Sequence, residues 1–371
     1  MSNNKHYFSS ELVRWYEKER RDLPWRRTRD PYHIWVSEIM LQQTRVDTVI
    51  PYFNRFVDRF PSVRQLAEAP EEEVLKHWEG LGYYSRARNL QSAVREVVDR
   101  YGGEVPRLKE EVSGLKGVGP YTAGAILSIA FDQPEPAVDG NVMRVLSRFF
   151  GLEDDIARPA TRVRIEGVAK ELIPHGKAAD FNQALMELGA MICTPKSPAC
   201  PTCPVREMCS ARLQGRQSEL PVKTKAKPPK FVLRLAALVE GTGIRSGKVL
   251  VRQRPKTGLL ARMWELPHLE APGQSVWDSV ESGCSWLEQE FAQEGLMIKA
   301  VDHIGDAQHT FTHLHWNIRV MSAVLQAEES AILPPHYQWV GPDDFENYVW
   351  PNVFRKVLTQ YFIGMYKPSK P

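Results

Sequence analysis

The sequence predicts a multidomain fold: an all-α region over residues 1–213, a linker over 214–230 and an α+β domain over 231–371. Three observations predict it. At 371 residues the chain exceeds one ordinary domain of ~150 residues and has room for two or three. Strand signals are nearly absent before residue 214. Beyond residue 230, β-branched residues begin to alternate with polar ones, the two-residue period of a half-buried strand.

In the first region, amphipathic or buried helical runs at 11–19, 34–43, 71–78 and 87–101 are separated by Pro and Gly breaks. Residues 214–230 change character. There Arg216, Lys223, Lys225, Lys227 and Lys230 oppose only Glu219, and prolines stand at 221, 228 and 229, as in a basic linker. Strands are then predicted at 231–240, 248–253 and 312–323, and a helix at 286–294. The longest apolar run, 123–131, is far short of the ~20 residues that cross a bilayer, so no membrane partner is expected. Residues 1–6 lack the apolar core of a secretory signal, which makes the cytoplasm the expected compartment, at the nucleoid in a bacterium. A formal net charge of +3 is too small to identify a polyanionic partner.

Four of the five cysteines, Cys193, Cys200, Cys203 and Cys209, crowd into a C-x6-C-x2-C-x5-C stretch. In a reducing compartment such thiols serve as metal ligands rather than disulfide partners. Pro195, Pro198, Pro201 and Pro204 prohibit a continuous helix and force loops that can wrap a metal. A tetrathiolate site suits zinc or a [4Fe-4S] cluster. Zinc ribbons usually bring two C-x2-C pairs and only one stands here, which leans the spacing toward iron–sulfur.

Residues 115–125, Leu-Lys-Gly-Val-Gly-Pro-Tyr-Thr-Ala-Gly-Ala, place Gly117 and Gly119 in a tight turn that opens a helix. Backbone N–H groups left unpaired there, with the positive end of the helix behind them, form a site for one phosphate. The arrangement fits a helix-hairpin-helix, which grips duplex backbone without reading sequence, or a plain glycine turn before a helix. Two carboxylates stand in unlikely places. Glu38 lies in an apolar run, 34–41, that as a helix is buried nearly all round; burial raises a carboxyl pKa toward that of a general acid, unless an Arg pairs with it. Asp139 follows prolines at 134 and 136 and precedes a helix beginning near Asn141. It reads as an N-cap, a position that also keeps a carboxylate ionised.

Together the 115–125 turn, Val138-Asp139-Gly140-Asn141-Val142 and the four cysteines resemble the endonuclease III superfamily of DNA glycosylases. Residues 35–44, 80–86 and 181–184 are similar to the MutY-type adenine DNA glycosylases within it. The resemblance implies a six-helix barrel with the helix-hairpin-helix at about 25–135, and a cluster domain from 1–24 plus 136–213 holding a structural [4Fe-4S] cluster. It implies removal of adenine opposite 8-oxoguanine in duplex DNA by a monomeric enzyme. Gln43 and Tyr83 match the wedge that fills the gap left by a flipped base. Glu38 matches the acid that protonates adenine N7, and Asp139 the carboxylate that stabilises the oxocarbenium sugar. Tyr121 is implied beside both, Asn141 as the residue orienting Asp139, and Arg21, Leu23, Trp25 and Arg26 as the base-pocket lining. Where lyase-competent relatives carry a lysine this chain has Tyr121, and a phenol cannot form an imine; a monofunctional enzyme follows. Gln183 stands where MutY-type members often have Glu, and Lys196, Arg206 and Arg212 give the cysteine loop a basic character.

Residues 258–267 resemble the Nudix-like C-terminal domain of these glycosylases. Glu288, Glu290 and Glu294 do not make the R-E-x-x-E-E arrangement that holds magnesium in a hydrolase, so nucleotide hydrolysis is not expected. The resemblance implies instead that Phe311, Thr312 and His313 sense 8-oxoguanine, with Thr312 where Ser is typical. Two other readings stand beside this one: an endonuclease III-like glycosylase/lyase for oxidised pyrimidines, and a non-catalytic zinc-bearing DNA-binding protein.

Overall fold

The computed structural model describes residues 3–225, 227–326 and 333–364. The chain divides into two compact units, Met1–Ala226 and Lys227–Pro371. The first unit is helical: α1 Asn3–Glu19, α2 Pro31–Leu41, α3 Val46–Arg59, α4 Val63–Glu68, α5 Glu71–Trp78, α6 Ser85–Tyr101, α7 Lys109–Gly114, α8 Pro120–Phe131, α9 Gly140–Phe150, α10 Pro159–Leu172, α11 Ala178–Met191 and α12 Ser210–Leu213.

Helix α2 starts where Asp30 accepts hydrogen bonds from the Tyr32 and His33 amides, with Pro31 at the first helical position. Its Ile34, Trp35, Val36, Ile39 and Met40 are all buried, as a helix apolar on every side requires. It packs against α3, α6 and α8. A second core joins α1 to α9, α10 and α11 through Phe8, Leu12, Tyr16, Val145, Ile165, Phe181 and Leu188. The beginning of the chain thus shares a core with residues 138–205 rather than with the helices that follow it. A small cluster of Ile34, Ala125, Ile129 and Ala137 links α2 and α8 to the segment leading into Asp139.

The small residues after the 115–119 turn have a packing reason. A Cβ on Gly124 would lie 2.0 Å from the Pro136 carbonyl oxygen, so α8 and the 136–137 backbone approach as closely as hydrogen allows. Gly117 has φ +78°, and a Cβ there would meet the Asn89 Cβ at 2.7 Å.

The basic segment predicted as a linker is bound down over much of its length. Arg148 Nε donates to the Leu220 carbonyl, Ile156 N–H to the Val222 carbonyl, and Thr224 hydroxyl to Asp155. Leu220 is buried.

In the second unit a mixed sheet runs in the order β3-β2-β1-β6-β5, with β4 pairing β1 and β7 pairing β2. The strands are β1 Lys230–Glu240, β2 Val249–Gln253, β3 Trp264–Glu265, β4 His268–Glu270, β5 Ile298–Thr310, β6 Leu314–Leu325 and β7 Tyr337–Val340; the helices are α13 Gln274–Asp278, α14 Val280–Gln293 and α15 Asn352–Phe362. β1 is central and covered on both faces. Val232, Ala236 and Leu238 meet Phe354 and Trp350 on one side, while Leu235, Ala237 and Val239 meet Leu287 and Phe291 of α14 on the other. The predicted strand at 312–323 begins instead at Leu314, and Phe311, Thr312 and His313 form the turn between β5 and β6. β5 escaped the sequence reading because two register shifts, at Ala300/Asp302 and His303/Gly305, break its alternation.

Gly124→Ala is expected to lower stability by about 1–3 kcal/mol from overpacking, against the ~1 kcal/mol gain that alanine brings to an open helix. Urea denaturation of the two proteins gives the sign.

Candidate active site

A cavity of about 170 Å³ lies between the two helical halves of the first unit. Its wall brings together Arg21, Leu23, Trp25, Arg26, Glu38, Tyr121, Asp139 and Asn141, residues from four separate stretches of the sequence, and adds Gln183, Met186 and Glu187 from a fifth.

Glu38 is 4% exposed. Among the described residues its side chain receives one hydrogen bond, from the Tyr121 hydroxyl to Oε2 at 2.6 Å. Burial pushes the carboxyl up to about 7; the Tyr121 bond opposes the rise and the nearby Asp139 carboxylate adds to it. Tyr121 is itself held far above the ordinary phenol value by burial and by the two carboxylates, so it remains a donor. With Oε2 accepting from Tyr121, Oε1 is the oxygen left to carry a proton.

Asp139 caps α9. Its Oδ1 accepts from the Val142 amide at 2.8 Å and its Oδ2 from Asn141 Nδ2 at 2.8 Å. Burial raises its pKa, but these donors and the Arg144 charge work against the rise by stabilising the anion. The two carboxylates therefore differ in kind: Glu38 has a single neutral donor, whereas Asp139 has helix amides, an amide side chain and a guanidinium nearby. The asymmetry favours a protonated Glu38 facing an ionised Asp139.

Behind Asp139 the support continues. Arg144 Nη2 donates to Asn141 Oδ1 and to the Gly189 carbonyl, both at 2.8 Å, and its Nε to the Cys193 carbonyl at 2.8 Å. Arg148 donates to the Thr194 and Pro195 carbonyls and to Cys193 Sγ. Both arginines are buried, one turn apart on α9.

Glu187 is the counterexample to Glu38. It is equally buried, yet Arg21 and Arg26 both pair with it, at 2.7 and 2.9 Å. Burial alone would raise its pKa; the two guanidinium groups outweigh that and hold it at about 2. Arg21 and Arg26 line the cavity, and their guanidinium groups are committed to Glu187.

The four cysteines border one apolar cavity together with Ile192 and Pro198. Burial pushes Cys203 up to about 12, and the other three sulfurs add to the rise. Four mutually repelling sulfurs round one space are a donor set that a cation would satisfy. Among the described residues, no three His, Cys, Asp or Glu side chains are grouped for a single metal ion. Arg212 Nε donates to the Arg206 carbonyl, folding the loop on itself, while Lys196 is exposed.

Gln43 and Tyr83 are exposed, at the turns after α2 and before α6, with left-handed backbones of φ 58° and 47°. In the second unit, Phe311 is half-buried against Trp316, ring centroids 4.8 Å apart, and leaves Thr312 and His313 exposed at the turn. Glu288 and Glu294 are used structurally. Glu288 accepts from the Ala300 amide, and Glu294 from the Tyr337 hydroxyl.

Over 95% of its length the chain is 37% identical to the adenine DNA glycosylase of Mus musculus, covering 78% of that protein. It belongs to the adenine DNA glycosylases. Residues 36–171 match the HhH-GPD superfamily of base excision DNA repair proteins, and residues 242–360 match the NUDIX domain family. Among solved structures, a thermostable thymine-DNA glycosylase is 33% identical, with a TM-score of 0.53 over 57% of this chain and 97% of that one. An endonuclease III in a non-covalent DNA complex is 26% identical, with a TM-score of 0.50 over 58% of this chain and all of the other.

Sequence reasoning about this glycosylase missed Glu187, Arg144 and Arg148. Each left a signal. Arg144 and Arg148 stand four apart on the apolar face of a strongly amphipathic helix, and Glu187 interrupts the apolar face of α11 as Glu38 interrupts α2. The two glutamates predict opposite pH slopes. Between pH 4.5 and about 7 the unfolded chain ionises at Glu38 and the native state does not, so stability falls as pH rises through that window. Glu187 contributes stability above its unfolded value of 4.5, and that contribution is lost as pH falls toward about 2. Denaturation across pH is expected to lose the first slope in Glu38→Gln and the second in Glu187→Gln.

Proposed function

We propose that the enzyme excises adenine paired with 8-oxoguanine or guanine from duplex DNA, as a monofunctional N-glycosylase. The observation that carries this reading is the pair of unlike carboxylates on one cavity, Glu38 buried without an ion pair among the described residues and Asp139 held by donors. Adenine inside the stack is out of reach, so it is flipped into the cavity, with Gln43 and Tyr83 filling the gap. Glu38 delivers its proton to adenine N7 and turns an anionic leaving group into a neutral one. As the C–N bond breaks, positive charge grows on the sugar, and ionised Asp139 stabilises it until water adds. Tyr121 orients the acid and offers no amine, which supports base release without strand scission. Asn141 holds Asp139 in place. Gly117 and Gly119 present backbone amides to a phosphate of the duplex.

The chain's own four cysteines, which border one cavity, would hold a [4Fe-4S] cluster. When bound there, it would give the 193–209 loop a rigid fold. Arg144 and Arg148 bind the loop to the helix that carries Asp139, and no step of base release passes through it. In the second unit, Phe311, Thr312 and His313 meet the base opposite adenine. A monomer provides every residue of this scheme.

Single-turnover release from duplexes with adenine opposite 8-oxoguanine, guanine or thymine tests the reading. Glu38→Gln and Asp139→Asn are each expected to lose ~10²–10⁴-fold, the usual worth of a positioned acid or stabilising carboxylate. The wild-type rate should fall as pH rises through about 7, where Glu38 gives up its proton. Near-normal rates in both variants would overturn the mechanism. The purified protein is expected to carry iron and no zinc by metal analysis, and Cys200→Ser to lose the iron.

A further inference from the structure

We propose that Arg86 is the positioning residue that fixes Gln43 and Tyr83 as a pair for base extrusion. The inference rests on the reading that those two side chains fill the gap left by a flipped base.

Arg86 lies in the first turn of α6 and is 9% exposed. Its Nη1 donates to the carbonyls of Ile39, Met40 and Gln42, at 2.8, 3.0 and 2.5 Å. Its Nη2 donates to the Leu81 and Gly82 carbonyls, both at 3.2 Å, and to Thr44 Oγ1 at 3.4 Å. One guanidinium therefore holds two turns that are about forty residues apart in sequence. The first ends α2 and carries Gln43; the second opens α6 and carries Tyr83. Among the described residues its partners are carbonyls and one hydroxyl, with no carboxylate. Burying a cation without a counter-charge is costly. The C-terminal carbonyls of α2, at the negative end of the helix, take the place of one.

The backbone supplies an independent reason for such a clamp. Gln43 and Tyr83 both adopt left-handed conformations without being glycine, each at a cost of order 1 kcal/mol. Strain of that kind persists only where the surroundings over-determine it. Arg86 bonds the carbonyl immediately before each strained residue, Gln42 for one and Gly82 for the other. Its guanidinium carbon also sits 5.6 Å from the Tyr83 ring centroid and 5.4 Å from that of Trp78, which fixes the direction of the wedge ring. Lysine cannot replace it, because one ammonium at a point cannot span both turns.

The test compares wild type, R86K, Q43A/Y83A and the triple variant, using fluorescence of 2-aminopurine at the target position to report unstacking and single-turnover adenine release to report chemistry. R86K is expected to reduce both signals by ~10-fold or more through misplacement of the wedge, with no movement of the pH midpoint set at Glu38. In the Q43A/Y83A background the same change should alter neither by more than about twofold, since coupled residues are non-additive. Arg86→Gln, read in the same way, covers the case in which R86K does not fold. Wild-type unstacking in R86K, or an equal loss in the wedge-less background, would overturn the inference. Absence of both unstacking and adenine release in the wild type would instead sink the functional reading on which it rests.

Discussion

Glu38 buries its carboxyl among apolar side chains with, among the described residues, one phenol as its hydrogen-bond donor, and the rest of the cavity is arranged around that unfavourable placement. A carboxylate moved out of water without a cation costs several kcal/mol, and the group escapes most of that cost by keeping its proton. Glu187 marks the alternative within the same cavity: equal burial, two guanidinium partners and a pKa at the opposite extreme. The charge of Arg26 is shared with Glu187, which limits how far it can pull Glu38 toward ionisation.

Asp139 faces the same low-dielectric cavity with a different solution. Its anion is spread over the start of α9 and the Asn141 amide, and Arg144 braces Asn141 from behind. That brace is anchored in the cysteine loop through the Cys193 carbonyl. The loop is thus joined by hydrogen bonds, through Arg144 and Asn141, to Asp139. Gly124 serves the same geometry from the other side, since only a hydrogen fits between α8 and the segment that delivers Asp139.

Arginine does three kinds of work in the first unit. Arg21 and Arg26 neutralise a buried carboxylate, Arg144 and Arg148 bind backbone carbonyls of a loop poor in regular structure, and Arg86 clamps two turns. The planar fork of donors suits all three because carbonyl oxygens at helix ends and in loops lack internal partners. None of the five is reached from charge counting, since each is matched to acceptors contributed by distant parts of the chain.

The sequence by itself determined the helical character of the first unit, the crowding of four cysteines into one short stretch, the unusual position of Glu38 in α2 and the N-cap position of Asp139. Each of these follows from local rules: apolar periodicity, proline and glycine breaks, and the need of a helix start for an acceptor. The resemblance added roles to those residues. Only the tertiary structure decided that, among the described residues, Glu38 has no arginine ion pair while Glu187 has two, because ion pairing depends on which segments meet, and residues 21–26 and α11 are far apart along the chain. It also decided that 214–224 is bound to the first unit rather than free, and that the bulged β5 is a strand. Burial, hydrogen-bond satisfaction and strand pairing are properties of contacts between distant segments, and no local pattern carries them.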